Sequence, residues 1–164
     1  MTLPPAHAAW VARILAARPP RLVLDTNVIM ALWHFRDPRL SPLLGWIEAQ
    51  GATLLTRETC LDELRRVLAY SQFAIAADEQ ARLFEAYAGR ALCLPPPTEA
   101  QQAAAAGLPQ CRDRDDQKFL TLGLDGEAHV LATRDKLLLG LARRSPFREH
   151  LPIVTPERLQ ASLQ

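Results

Sequence analysis

Four acidic residues occupy positions in this sequence from which their carboxylates could converge; they are Asp25, Glu63, Asp116 and Asp135. Asp25 ends one strand-like hydrophobic run and Asp135 follows another. Carboxylates at the strand ends of an open α/β sheet point into the crevice where such folds bind ligands. Converging carboxylates repel one another, so as a group they are stable only around a cation or when protonated. Because all the ligand atoms are oxygens, the set predicts a Mg2+ or Mn2+ site rather than a zinc site.

Each of these acids also has a purely structural explanation. Asp25 and Asp135 could cap the turn or helix that follows each strand, although Asn27 is the better predicted cap after the first strand. Glu63 borders the apolar face of a predicted helix, whereas Asp62 points away from that face. The helical spacing therefore favours Glu63 as the ligand of this adjacent pair.

The third acidic segment, Asp113-Arg-Asp-Asp116, contains several candidates. Asp116 shares a helix face with Phe119 and Leu120, which directs its side chain inward. Asp115 is the predicted N-cap of the helix, and Asp113 is expected in the loop that approaches it. The pattern therefore favours Asp116 as the ligand.

Short hydrophobic runs alternate with helical patterns along the chain. The predicted strands cover residues 22–24, 52–55, 91–94, 130–132 and 152–154. Helical patterns cover residues 28–33, 38–51, 77–89, 115–124 and 136–142, one more carries Glu63 after a cap at Thr56 or Thr59, and a last one follows Thr155. Residues 95–109 are predicted to form an irregular loop that is interrupted at residues 103–106. The alternation predicts an α/β fold with three layers, α/β/α, and a mostly parallel central sheet of about five strands.

The chain is expected to consist of an N-terminal helical extension over residues 1–20 and one domain over residues 21–164. The extension has an apolar stripe that is too small to fold alone, formed by Trp10, Val11, Ile14 and Leu15. We expect this stripe to pack against the domain or against a second copy, outside the acid cleft.

Composition limits the class of protein. The net charge is +1, so the chain has no global basic field of the kind that marks many nucleic-acid-binding proteins. The three cysteines form no CxxC motif, which favours reduced thiols in a cytosolic protein. We find no apolar run of about 18 residues and no signal-peptide pattern, so a cytoplasmic location is expected.

Taken together, these segments resemble the PIN-domain family of metal-dependent ribonucleases over about residues 21–160. The segments LVLDTNVIMALW, LDELRRVL, DRDDQKFLTLGL and HVLATRDKLL are similar to the four acid-bearing segments of that family. The resemblance implies catalytic and metal-binding roles for Asp25, Glu63, Asp116 and Asp135. It also implies supporting roles for Asn27, Thr133 and Asp113. The segment LPIVTPERL resembles the closing strand and helix of the bacterial branch of toxin components in toxin–antitoxin pairs.

The resemblance implies an endoribonuclease that uses Mg2+ or Mn2+ to hydrolyse single-stranded or structured RNA, leaving a 5′-phosphate and a 3′-hydroxyl. A cognate antitoxin protein and a second copy of the chain are the implied partners. Arg112, Arg114 and Arg134 adjoin the acids in sequence and are candidates to bind RNA phosphates. They could equally be solvated counter-charges.

Two other functions are compatible with parts of the sequence. A haloacid-dehalogenase-like phosphatase also carries an Asp after its first strand, but it needs a second Asp two residues later, where this chain has Asn27. A catalytically weak PIN module could act only as an RNA- or protein-binding regulator. The presence of all four acids argues against that alternative.

Overall fold

A central sheet of parallel strands organises the fold. The structure is a computed structural model that describes residues 5–164, with side chains from His7 onward. The strands are β1 (Arg21–Leu24), β2 (Thr53–Thr56), β3 (Ala91–Cys93), β4 (Val130–Ala132) and β5 (Ile153–Val154). Their order is β3-β2-β1-β4-β5, and all pair in parallel. The predicted parallel sheet of about five strands is confirmed.

Helices connect the strands. The α-helices are α1 (Pro5–Ala16), α2 (Thr26–Ile29), α3 (Ser41–Ala49), α4 (Glu58–Leu68), α5 (Ala77–Ala88), α6 (Glu99–Ala105), α7 (Gln117–Asp125), α8 (Lys136–Leu139), α9 (Phe147–His150) and α10 (Pro156–Ser162). A π-helix (Met30–His34) continues α2, and 3-10 turns lie at Pro38–Leu40, Ser71–Phe73 and Arg114–Asp116.

The strands contribute side chains to both faces of the sheet. On β1, Leu22 and Leu24 pack into one core with α1 to α5 and α10. Val23 packs into a second core with α7, α8 and α9. Burial on both faces explains why the strands read as continuous hydrophobic runs. The predicted three-layer α/β/α arrangement is thereby confirmed.

β1 lies at the centre of the sheet, between β2 and β4. The chain runs outward from β1 through β2 to β3 and then begins the other half of the sheet with β4. Such a reversal leaves a crevice outside the carboxyl ends of β1 and β4, where open α/β sheets bind ligands. Asp25 directly follows β1 and Thr133 directly follows β4, so both residues lie at this crevice.

Some predicted details of the connections are wrong. The stretch 95–109 contains α6, which begins with a capping box between Thr98 and Gln101. The spacing of Thr98 and Gln101 is the sequence signature of that motif. Arg57, rather than either predicted threonine, stands at the N-cap of α4. Its side chain is instead fixed by an ion pair with Asp125 at 2.8 Å.

The N-terminal helix α1 packs into the same core as α2 to α5. Trp10 and Ile14 are buried there, and Val11 packs against the edge of that core. Leu15 is 41% exposed, so it lies outside the buried part of the predicted stripe. The first four residues of the predicted extension lie outside the described residues.

Two further findings concern the whole described chain. Cys60, Cys93 and Cys111 are free thiols. Among the helices of residues 5–164, none combines the length and the hydropathy that crossing a membrane would require.

The packing of α1 predicts different effects of two neighbouring substitutions. Ile14→Ala removes a fully buried side chain and should lower the free energy of unfolding by about 2–5 kcal/mol. Leu15→Ala changes an exposed residue and should alter it by less than about 0.5 kcal/mol. Urea titration followed by circular dichroism measures both values. Equally small losses would show that α1 does not pack as described.

Candidate active site

The cleft at the carboxyl ends of β1 and β4 has a volume of about 250 Å3 and collects most of the predicted site residues. Its lining comprises Asp25, Thr26, Asn27, Glu63, Arg66, Val67, Tyr70, Asp113, Asp115, Asp116 and Asp135. Three larger clefts of about 410–430 Å3 exist on the surface, one of them adjoining this cleft, but each is lined by at most two carboxylates. The chemistry of the lining, rather than size, therefore marks this cleft as the candidate active site.

Asp25 is buried at the end of the central strand and is held by Thr133. The Asp25 backbone N–H donates to Ala132 at 3.0 Å, which extends the pairing of β1 with β4 by one residue. The Thr133 hydroxyl donates to Asp25 Oδ2 at 2.7 Å and accepts from the Asp135 N–H at 2.9 Å. The two strand ends thus fix the orientation of the Asp25 carboxyl group.

The environment of Asp25 disfavours its charged form. Burial raises the pKa of the Asp25 carboxyl group, and repulsion from Glu63 and Asp135 adds to that effect. The hydrogen bond from Thr133 acts in the opposite direction but is outweighed, so the pKa remains above its ordinary value.

The Glu63 side chain extends from α4 into the cleft and forms an ion pair with Lys118. Its Oε1 lies 2.9 Å from Lys118 Nζ, and its Oε2 accepts a hydrogen bond from the Thr26 hydroxyl. The Glu63 side chain is 14% exposed, whereas that of Asp62 is 58% exposed and pairs with Arg65. Burial opposes the charge of Lys118, but the hydrogen bond and ion pair with Glu63 outweigh it and raise the lysine pKa.

In the acidic segment before α7, Asp113 and Asp115 have roles different from those predicted. Asp113, and not Asp115, is the capping residue, because its Oδ1 accepts from the Asp115 N–H at 3.0 Å at the start of the 3-10 turn. Asp115 instead pairs with Lys118 at 3.2 Å, and this hydrogen bond lowers the pKa of Asp115. The predicted N-cap role of Asp115 is therefore wrong.

Asp116 stands immediately before α7 and faces the other acids. Burial raises its pKa to about 7, and repulsion from Asp25, Asp113, Asp135 and Glu63 contributes in that order. A carboxyl group with this pKa is partly protonated near neutral pH. Burial and the surrounding carboxylates thus act in the same direction on Asp116.

Asp135 lines the cleft and also caps a helix. Its Oδ1 accepts from the backbone N–H groups of Leu137 and Leu138 at 2.8 and 3.1 Å, so the capping explanation applies to this residue. Asn27 lines the cleft as an exposed residue inside α2. Asp25, not Asn27, occupies the N-cap position of α2, so the predicted capping role of Asn27 is wrong.

The donor set fits a divalent cation in its chemistry. All of its donors are oxygens. Burial, with repulsion among the carboxylates added to it, raises the pKa values of Asp25 and Asp116, so the cleft disfavours their charged forms unless a cation is bound. Within residues 5–164, however, no three His, Cys, Asp or Glu side chains are arranged so that they could bind a metal ion as they stand. Glu63 is drawn to Lys118 and Asp135 to helix amides. Coordination would therefore require side-chain rearrangement within the cleft.

The arginines predicted to bind phosphates lie outside the lining of the cleft. Arg134 pairs with Glu157 and lies 3.7 Å from Asp37, as a counter-charge would. Arg114 lines a neighbouring surface cleft, and Arg112 is exposed. Their phosphate-binding roles remain predictions.

The sequence analysis did not identify four of the lining residues, which are Thr26, Arg66, Val67 and Tyr70. Arg66 follows Glu63 by three residues on α4, so helical spacing could have placed it on the same face. Its side chain is mostly exposed and lies 3.7 Å from Asp115. Tyr70 lies just beyond the end of α4, where helical spacing no longer applies.

Comparison with known families assigns the chain. The sequence profile described as the PIN domain matches residues 21–137, which is well over half of the chain. The protein therefore belongs to the PIN domain family, whose members are generally nucleases. The match contains Asp25, Glu63, Asp116 and Asp135. No curated protein sequence matches the chain.

The opposite pKa shifts of two neighbouring aspartates predict opposite effects of removing their charges. Because the folded-state pKa of Asp116 is raised from 3.8 to about 7, its ionisation costs stability increasingly as pH rises between those values. Asp116→Asn should therefore stabilise the metal-free protein at about pH 8, and less so toward pH 4. Melting temperatures measured in EDTA across this range test the prediction.

Asp115→Asn is the matched control. The pKa of Asp115 is lowered, so its charge contributes stability above the ordinary pKa, and the substitution should lower the melting temperature near pH 8. A wild-type protein more stable than Asp116→Asn at that pH would contradict the account.

Proposed function

We propose that this protein is a metal-dependent endoribonuclease that cleaves single-stranded or structured RNA. One observation carries the proposal: a PIN domain in which Asp25, Glu63, Asp116 and Asp135 line a single cleft at the reversal point of the sheet. Burying several carboxylates together is energetically unfavourable, and ionisable groups in such environments cluster at functional sites.

The residues that would hold Mg2+ or Mn2+ are the same four carboxylates. A divalent cation bound there would supply an activated water molecule and offset the charge that develops on the phosphodiester. Thr133 fixes the orientation of Asp25, whereas Glu63 would have to exchange its contacts with Lys118 and Thr26 for the cation. The Arg66 guanidinium lines the cleft and would hold an RNA phosphate. The proposed products carry a 5′-phosphate and a 3′-hydroxyl.

The alternative is a catalytically weak PIN module that binds RNA or protein as a regulator. The complete set of acids and their shared cleft favour the enzyme. The PIN family match also argues against the phosphatase alternative.

Activity should require both the metal and the acid cluster. The protein should cleave single-stranded RNA with Mg2+ or Mn2+ and stop when EDTA is added. Asp25→Asn and Glu63→Gln should each reduce cleavage by more than the roughly 10- to 100-fold that loss of a residue supporting a metal ligand costs. Asp62→Asn is the matched control and should retain near-normal activity, because Asp62 lies outside the cleft. Cleavage that continues unchanged in EDTA would refute the mechanism.

We further propose that the protein is the toxin of a bacterial toxin–antitoxin pair, with a cognate antitoxin and a second copy of the chain as protein partners. Residues 151–159 support this proposal by their resemblance to the closing segment of that branch. They form β5 and the start of α10, where Thr155 caps the helix by accepting from the Arg158 N–H at 3.1 Å.

The toxin proposal predicts an effect on growth. Induced expression of the wild-type protein in bacterial cells should arrest growth, because uncontrolled RNA cleavage stops protein synthesis. Asp25→Asn expressed to the same level should not. Normal growth with the wild-type protein at that level would argue against a toxin while leaving the nuclease assay decisive for the enzyme.

A further inference from the structure

A cluster of aromatic side chains adjoins the acid cleft; we call Tyr70, Phe73, Phe35 and His34 the aromatic cluster. The rings of Tyr70 and Phe73 are stacked, with centroids 6.2 Å apart and planes 19° apart. Phe35 packs edge-on against Phe73 at 5.7 Å. The centroid of the His34 ring lies 4.6 Å from that of Phe35 and 6.5 Å from that of Phe73. The cluster is therefore a continuous aromatic surface.

The cluster is open to solvent. Phe35 is 56% exposed and Tyr70 is 50% exposed. Among the large hydrophobic side chains that are exposed in the described residues, these are the two aromatic ones. Phe73 is half-buried against the main core and anchors the other rings. Adjacent exposed apolar side chains commonly mark a binding surface.

Two segments distant in sequence build this surface. His34 ends the π-helix that continues α2, and Phe35 follows it directly. Phe73 lies in the 3-10 turn after α4, and Tyr70 precedes that turn. Single π-helical turns within helices occur often at functional sites. Here the π-helix begins a few residues after Asp25, so one segment connects the central acid to the aromatic cluster.

The cluster is continuous with the candidate active site. Tyr70 lines the acid cleft together with Arg66, which lies four residues earlier in the chain. The surface thus runs from the carboxylates past a guanidinium group to Tyr70, and then across Phe73 to Phe35. A cation for a phosphate beside flat rings for bases is the combination that binds single-stranded nucleic acid.

We propose that the aromatic cluster binds the bases of single-stranded RNA next to the cleaved phosphodiester by stacking. This proposal rests on the proposed nuclease function. Unpaired bases can stack on exposed rings, whereas the bases of a duplex are already stacked on one another. The cluster therefore selects single-stranded RNA, and it tolerates different sequences because every base offers a flat face.

The direct test is the affinity for a short single-stranded RNA, measured by fluorescence anisotropy in EDTA so that the RNA stays intact. Phe35→Ala and Tyr70→Ala should each weaken binding by at least about fivefold, the lower end of the loss caused by removing one base–aromatic stack. Leu92→Ala is the matched control, since Leu92 is an equally exposed apolar residue on the edge strand β3, outside the cleft lining. It should bind as the wild type does.

A second RNA of the same length, with abasic sites in place of several bases, separates stacking from phosphate binding. It should bind the wild-type protein more weakly than intact RNA does, and Phe35→Ala should weaken its binding little further. Such non-additivity shows that the ring and the bases contact each other. An RNA duplex should bind with equal affinity to wild-type protein and to Phe35→Ala.

The outcomes distinguish this proposal from the nuclease function. Cleavage by the wild-type protein in Mg2+, with equal affinities of the variants for intact RNA, would overturn the stacking proposal alone. Unchanged RNA affinity with altered self-association in sedimentation would assign the cluster to a protein contact and also overturn it. RNA binding that depends on the rings without any cleavage would support stacking but refute the enzyme. Absence of both binding and cleavage would refute both.

Discussion

Asp25 places an ionisable carboxyl group in the interior at the end of the central strand, and much of the surrounding structure compensates for that placement. Thr133, at the end of the neighbouring strand, donates to it, and the pairing of β1 with β4 aligns the two residues. Burial nevertheless keeps the pKa of Asp25 above its ordinary value. The fold thus holds a carboxyl group in a position that its own contacts only partly stabilise, and sites of this kind are commonly functional.

The acid cluster has two halves that differ in their counter-charge. Glu63 shares Lys118 with Asp115, and this ion pair links α4 to α7 across the cleft. Asp25 and Asp116 lie in the other half, where burial and repulsion raise their pKa values. A partly buried ion pair is stable when its members satisfy each other, whereas unmatched carboxylates favour protonation or a bound cation. The unmatched half is therefore where added positive charge would stabilise the fold most.

The parts that could be predicted from the sequence are those set by local periodicity. Continuous hydrophobic runs located the strands, and the helical spacing around Glu63 distinguished it from Asp62. The parallel character of the sheet followed from alternating strands and helices, whereas the order of the strands was known only from the structure. Because β1 and β4 are neighbours in the sheet, Asp25 and Asp135 converge at the ends of these strands, as their positions after two predicted strands suggested.

The parts that could not be predicted depend on contacts between distant residues. The ion pair of Lys118 with Glu63 spans 55 positions, and that of Arg134 with Glu157 spans 23. Helix caps were also hard to predict, because neighbouring aspartates can accept the same backbone hydrogen bond. Asp115 was the predicted cap, but Asp113 is the residue that accepts this bond. The aromatic cluster joins the π-helix to a turn after α4, and no periodic pattern connects those segments.

The central claim is that the unmatched carboxylates form a cation site. Diffraction from crystals soaked in Mn2+, recorded at the manganese absorption edge, tests it most directly. The account predicts an anomalous peak within coordination distance of Asp25 and Asp116, retained in Asp62→Asn and lost in Asp25→Asn. A wild-type crystal with no peak in the cleft, or a peak that Asp25→Asn leaves unchanged, would contradict it.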